Sequence, residues 1–191
     1  MKILSLSAIP LLLLCAFAAG VFSGAENELT DPRDGKVYKT VKIGEQVWMA
    51  ENLRYNVPAS HASYCYKNSA NNCEKYGRLY DWETAKKACP DGWRLPSKED
   101  WEKLTANYPD NETAYKNLIA GGESGFNATL HGVYSVANNE FLTMKQHGSY
   151  WSSTDFNTER AWVQRFLISS GDTYESQAIK VNGHACRCLK N

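Results

Sequence analysis

The chain is predicted to be α+β, with its helices segregated from an antiparallel set of strands, and three features of the sequence carry that reading. An alternating hairpin pattern occupies residues 36–49, capped helical periodicity is confined to 76–104 and 111–120, and beyond Gly125 short extended runs are separated by turn residues. Strands and helices do not alternate as they would in a βαβ nucleotide-binding fold. At 191 residues, 43% hydrophobic and 22% charged, the chain is long enough for one globular domain with a real core, assigned to residues 36–191.

Residues 1–25 read as a secretory signal peptide. Lys2 supplies the positive end, residues 9–19 the apolar core, and Ser23-Gly24-Ala25 the small residues that place cleavage after Ala25. A membrane anchor needs about 20 apolar residues, and this run is shorter and broken by Pro10. Lipidation at Cys15 is disfavoured, because bulky Leu14 stands where a lipobox takes a small residue. The mature chain is therefore expected outside the cytoplasm, secreted or at the cell surface, with no membrane span. Losing Lys2 moves the formal charge from +0 to about −1, and no basic block remains, which argues against nucleic acid as a partner.

Residues 26–35 are polar and rich in turn formers, so a flexible lead-in is expected. KVYKTVKI (36–43) alternates by side, with Val37, Lys39, Val41 and Ile43 on one face and Tyr38, Thr40 and Lys42 on the other; Gly44-Glu45 is the turn and QVWM (46–49) the return strand. Residues 52–72 read as a loop. The stretch 76–104 holds two short helices around a tight turn. Asp81 caps the first, Trp82, Ala85 and Cys89 share one face of it, and Pro90 ends it. Pro-Asp-Gly leads into Trp93-Arg94-Leu95, and Ser97 with Asp100 forms a capping box for the second helix, whose buried face carries Trp101 and Leu104. A third helix, 111–120, takes Asn111 as its cap and stops at Gly121-Gly122. Extended runs follow at 126–136, 140–144, 149–154, 161–168, 173–176 and 185–190.

After cleavage five cysteines remain: Cys65, Cys73, Cys89, Cys186 and Cys188. Export makes disulfides the expectation. Zinc is the competing use, but no CxxC occurs and Cys186-Arg187-Cys188 is too tight for two zinc ligands. Cys65–Cys73 is expected as a local staple and Cys89–Cys188 as a clamp from the first central helix to the C-terminal strand. Because Cys186 and Cys188 share a face of an extended strand, either can serve as the partner of Cys89, and the thiol left over is expected to be buried. On the chain-entropy model the two bridges contribute about 2.5 and about 4–5 kcal/mol.

Catalytic motifs are absent from the sequence: there is no GxGxxG, Walker loop, HExxH or GxSxG. His61, His131, His147 and His184 have no ligand spacing, and Ser152-Ser153-Thr154 has no local base. Asp155, Asn157 and Glu159 place side-chain oxygens at alternate positions, as calcium loops do. The glycine and distal bidentate Glu of an EF-hand are missing, so a turn is favoured over a calcium site there. The eleven Tyr and six Trp offer rings that stack on sugar faces where exposed, although Trp48, Trp82, Trp93, Trp101, Trp151 and Trp162 sit at apolar positions that favour core packing.

Four stretches, DGKVYKTVKIGEQVWMAENL (34–53), YGRLYDWETAKKACPDGWRLPSKEDWEKL (76–104), GSYWSST (148–154) with Ala161-Trp162, and the terminal CRCLKN, resemble the Fibrobacter succinogenes major paralogous domain. The resemblance covers nearly all of the mature chain in order, and ACPDGWRLPSKEDW is its most specific phrase. It implies an exported bacterial surface or periplasmic module. The same phrase is similar to the GWRLPT-type segment of the formylglycine-generating-enzyme group, which implies a C-type-lectin-like fold with its termini meeting in one sheet. The family pattern supports pairing Cys65 with Cys73 and Cys89 with Cys188, leaving Cys186 as the odd thiol. The redox cysteine pair of the oxidase relatives has no counterpart here, and Trp151-Ser152-Ser153 is not the Trp-Asn-Asp calcium motif of lectins.

The function expected is a non-enzymatic binding or cell-surface interaction module for a glycan or envelope polysaccharide, with Asp155, Asn157 and Glu159 as candidate ligand contacts and no cofactor other than calcium considered. The alternatives are an oxidase-like enzyme, which needs two neighbouring free thiols, and a purely structural surface protein.

Overall fold

The computed structural model describes residues 27–58 and 62–191; the expected signal peptide, Cys15 and His61 lie outside the described residues. The architecture is α+β. The hairpin forms as its alternation and turn demand: β2 (Val37–Ile43) pairs with β3 (Gln46–Met49), Thr40 facing Met49 and Ile43 facing Gln46. Gly44 in the turn has φ +57°, and a Cβ there would meet Asn107 Oδ1 at 2.7 Å, so conformation and space both select glycine. The C-terminal β13 (Leu189–Lys190) pairs with β3 and with β6 (Trp93–Arg94), and β1 (Glu28–Thr30) adds to β2, so both ends of the domain meet in one sheet ordered β1-β2-β3-β13-β6.

The edge of that sheet corrects the reading of residues 26–35 as a flexible lead-in. β1 (Glu28–Thr30) pairs with β2. Just after it, Asp31 is fully buried, holding Arg33 through its side chain and accepting the Gly35 N–H on its backbone carbonyl. Polar composition hid this, because the order comes from one buried carboxylate with a satisfied partner rather than from apolar periodicity.

Among the described residues there are four α-helices, not three. Residues 52–72 are not all loop: β4 (Ser63–Tyr64) and a 3-10 turn at Tyr66–Asn68 precede α1 (Ala70–Tyr76), which the Cys65–Cys73 bridge staples to the turn. β5 (Leu79–Tyr80) follows. α2 (Trp82–Ala88) starts at Asp81, whose side chain accepts the Thr84 N–H at 2.8 Å. α3 (Lys98–Thr105) carries the full Ser97/Asp100 capping box. Burial pushes the Asp100 pKa up, but the Arg94 fork and the Ser97 N–H outweigh it and hold the carboxyl below its ordinary range. α4 (Asn111–Leu118) is capped by Asp110 and not by Asn111: the Asp110 carboxylate accepts the Thr113 N–H at 2.7 Å, one residue earlier than expected. Adjacent Asp and Asn are both good caps, and the register of the apolar Ala114 and Leu118 decides between them.

β7 (Val133–Ser135) and β8 (Glu140–Leu142) form a separate two-stranded ribbon. β9 (His147–Asp155), β10 (Arg160–Leu167), β11 (Asp172–Ile179) and β12 (His184–Ala185) complete the second sheet, ordered β11-β10-β9-β12-β5-β4. Two further expectations are corrected here. The run 126–136 pairs as a strand only at its end, and β12 runs parallel to β9. Among the described residues no helix is long and apolar enough to cross a membrane.

Two cores flank the C-terminal segment, and its alternation explains why. Cys186 and Cys188 join Trp82, Leu95 and Trp151 in one, while Ala185 and Leu189 join Trp48, Trp101, Phe126 and Tyr150 in the other. A strand buried on both faces must send alternate residues to opposite cores, as Tyr150 and Trp151 also do on β9. β2 likewise serves both, with Tyr38 in the first core and Ile43 in the second, whereas Val37 is 46% exposed. Cys89, immediately after α2, is bonded to Cys188, and Cys186 is the free, buried cysteine. Arg187, between them, points into the second core.

Candidate functional site

Asp155, Asn157 and Glu159 lie at the exposed tip between β9 and β10. The turn brings them together in sequence but gives each a separate task. Asp155 pairs with Lys180; Asn157 Oδ1 accepts the N–H groups of Glu159 and Arg160 at 2.9 and 2.8 Å; the Glu159 carbonyl accepts the Lys180 N–H. Beside them Phe156 stands edge-on to Trp162 at 5.3 Å.

The aromatic side chains gather elsewhere. Tyr64, Tyr134 and Phe141, all partly exposed, line a groove of about 410 Å³ together with Lys67, Asn68, Asn139 and Glu140. Tyr134 and Phe141 are direct cross-strand partners on β7 and β8, with ring centroids 4.8 Å apart, and Tyr64 lies 4.3 Å from Tyr134. Buried Tyr66 backs Phe141 from beneath at 5.1 Å. The Tyr134 hydroxyl donates to Asn139 Oδ1 at 2.6 Å.

Both rims of this groove are strained. Lys67, Asn68 and Asn139 have φ of 52°, 54° and 50°, and they are three of the six described non-glycine residues in the left-handed region. Such residues cost about 1–3 kcal/mol each and persist where the surroundings hold them. Here the holders are visible. The Asn68 N–H bonds the Cys65 carbonyl at 2.8 Å, and the Cys65–Cys73 bridge closes the same turn. Arg78 Nη1 lies 3.6 and 3.5 Å from the two bonded sulfurs. Across the groove, Tyr134 exchanges both backbone hydrogen bonds with Gly183. Sequence reasoning missed this site because its residues come from three separated segments; the tyrosines in a turn-rich stretch beside a short-range cysteine pair were the available signal.

Two histidines with no spacing relation in the sequence, His131 and His184, meet at Ser149, and His147 lies two residues before it on β9. His131 Nδ1 lies 2.9 Å from the Thr129 carbonyl, and its Nε2 lies 3.1 Å from the Ser149 carbonyl and 3.4 Å from the Ser149 N; His184 Nδ1 lies 2.9 Å from Ser149 Oγ. Burial pushes His131 and His147 down to about 4 and His184 well below its ordinary value, with the cation of Arg165 adding to the effect at His147 and His184. The unfolded chain therefore takes up protons that the folded chain refuses. Their contribution to stability is complete above the unfolded pKa near 6.5 and is lost as pH falls from there toward about 4. Urea unfolding at about pH 5 is expected to show a loss of about 2 kcal/mol for each of His131 and His147 relative to about pH 7.5; a flat profile would mean the rings are charged in the fold.

Fold and site together define a disulfide-stapled α+β domain that presents an aromatic groove between two strained turns. The family model described as the Fibrobacter succinogenes major domain matches residues 41–190, a span that includes both disulfides and the whole groove, and the chain belongs to that family. Comparison with curated proteins and with solved structures found no match.

Proposed function

We propose that the chain is an exported, non-enzymatic module of C-type-lectin-like arrangement that binds a glycan or cell-envelope polysaccharide in the Tyr64–Tyr134–Phe141 groove. The observation that carries this reading is the grouping of three partly exposed rings with Asn68, Asn139, Glu140 and Lys67 in one groove. Ring faces take the C–H face of a pyranose, and amide, carboxylate and ammonium groups take its hydroxyls. The meeting of hairpin and last strand in one sheet supports the lectin-like arrangement. Export is supported by residues 1–25 and by the pairing of four cysteines.

The oxidase reading asks for two neighbouring free thiols, and the two bridges leave Cys186 as the free thiol of the described residues. The structural-protein reading asks for loops after Gly122 without an exposed aromatic cluster, and Tyr134 and Phe141 form one.

A glycan array together with a cell-wall pull-down tests the proposal. Phe141→Ala is expected to weaken binding about tenfold, the loss of one stacked ring. Asp155→Ala and Glu159→Ala, which are not among the residues lining the groove, are expected to leave it unchanged. Binding that depends on Asp155 or Glu159 instead would move the site to the β9–β10 turn, and no binding above background would remove the ligand claim.

A further inference from the structure

Around the C-terminal bridge the structure holds more sulfur than the bridge uses. The Sγ of Cys186 is 3.7 Å from that of Cys89 and 3.9 Å from that of Cys188. These near-equal distances put the free thiol beside the disulfide and not on its axis, whereas displacement at sulfur needs an in-line approach. The arrangement therefore does not favour exchange within the folded protein. It has the geometry of a different device. A metal–sulfur bond of about 2.3 Å spaces the sulfurs of a trigonal set about 4.0 Å apart, close to both measured separations, so the Cys186-Arg187-Cys188 spacing is not too tight for two ligands of one ion, contrary to the expectation from the sequence.

We propose that, once a dithiol reductant opens Cys89–Cys188, the thiolates of Cys89, Cys186 and Cys188 form a trigonal site for a soft, thiophilic cation such as Cu(I). Reduction transfers two electrons and two protons from the dithiol, which closes to its own disulfide. Metal binding then releases three thiol protons. Only the Cys89–Cys188 separation has to open to match the other two edges. These three are the one group of ligating side chains whose ligand atoms all lie within 4.8 Å of one another among the described residues, and no fourth joins them, which suits a three-coordinate soft ion.

Two cations stand near the site, each held by other partners. Three thiolates on a monovalent ion carry a net charge of −2. Arg187 is fully buried between the two C-terminal cysteines in the chain, but its guanidinium points away from them into the second core, so its charge acts on the sulfurs only at a distance. Arg33 reaches the Ala88 and Cys89 carbonyls at 2.7 and 3.3 Å while its charge is paired with Asp31. Cys89 is only half-buried and gives the ion a way in. In the oxidised protein the same pocket is closed, so the site is gated by redox state.

The probe is Cu(I) presented as its bicinchoninate complex, with Cys65→Ser and Cys73→Ser introduced to remove the other sulfur pair. After phosphine reduction the full-length mature protein is expected to withdraw one equivalent of Cu(I) and show three sulfur neighbours by X-ray absorption, whereas the oxidised form withdraws none. Adding Cys186→Ser is expected to leave two sulfur neighbours and to weaken binding by at least the roughly tenfold that loss of an outer partner costs a metal site. Two sulfur neighbours irrespective of Cys186, no uptake after reduction, or uptake by the oxidised form would each overturn the proposal. So would loss of near-ultraviolet circular dichroism on reduction alone, since the three sulfurs would then not be held together before the metal arrives.

Discussion

Arg187→Met is expected to destabilise the domain by about 3 kcal/mol or more, a large effect for a substitution that touches no solvent. The guanidinium is fully buried. It donates from Nε and Nη2 to Asn52 Oδ1 at 3.0 and 2.5 Å, from Nη1 to the carbonyls of Met49 and Phe126, and from Nη2 to the Asn127 carbonyl at 3.2 Å. Its plane also lies over Phe126, 4.6 Å from the ring centroid. Methionine relieves the cost of desolvating the cation and fills much of the volume. The three backbone carbonyls and Asn52 Oδ1 remain, however, and each buried acceptor left without a donor costs about 1–3 kcal/mol. Burial lowers the Arg187 pKa, but five donors to neutral acceptors are what a protonated guanidinium provides. Arg187→Lys keeps the charge without the fork and is expected to lose most of the same stability. Urea titration decides it: variants within about 0.5 kcal/mol of the parent would mean the carbonyls find other partners.

The second large effect concerns the bridges. Cys89→Ser opens a loop of 99 residues and is expected to cost about 4–5 kcal/mol, whereas Cys65→Ser opens one of 8 residues and costs about 2.5 kcal/mol. Unfolding under non-reducing conditions should rank them in that order. Equal losses, or a larger loss at Cys65, would show that the short bridge acts chiefly by holding the strained Lys67–Asn68 turn and not by restricting the unfolded chain.

The segment Cys186-Arg187-Cys188 shows how far the sequence carries. Period-two alternation put both cysteines on one face, and the family resemblance pointed to Cys188 as the bonded one. Nothing local required the intervening arginine to be buried, since arginine is ordinarily among the exposed residues. Its burial follows from the strand lying between two cores, a property of the topology. The same is true of Asn52, which lies in a stretch that reads as loop yet donates to the Tyr76 carbonyl and to Thr129 while receiving Arg187.

The local devices were legible because each depends on residues a few positions apart. The Asp81 cap, the Ser97/Asp100 box, the Pro90 stop and the Gly44 turn are such devices, as are the Cys65–Cys73 staple and the α+β division. They depend on backbone geometry and short loop closure, which a linear reading can evaluate. Only the tertiary structure decided which rings face solvent, that Tyr64 meets Tyr134, that His131 and His184 meet at Ser149, and that Cys186 lies against an existing bridge. Those contacts join segments separated by tens of residues, and their partners are chosen by how the sheets pack rather than by any pattern written along the chain.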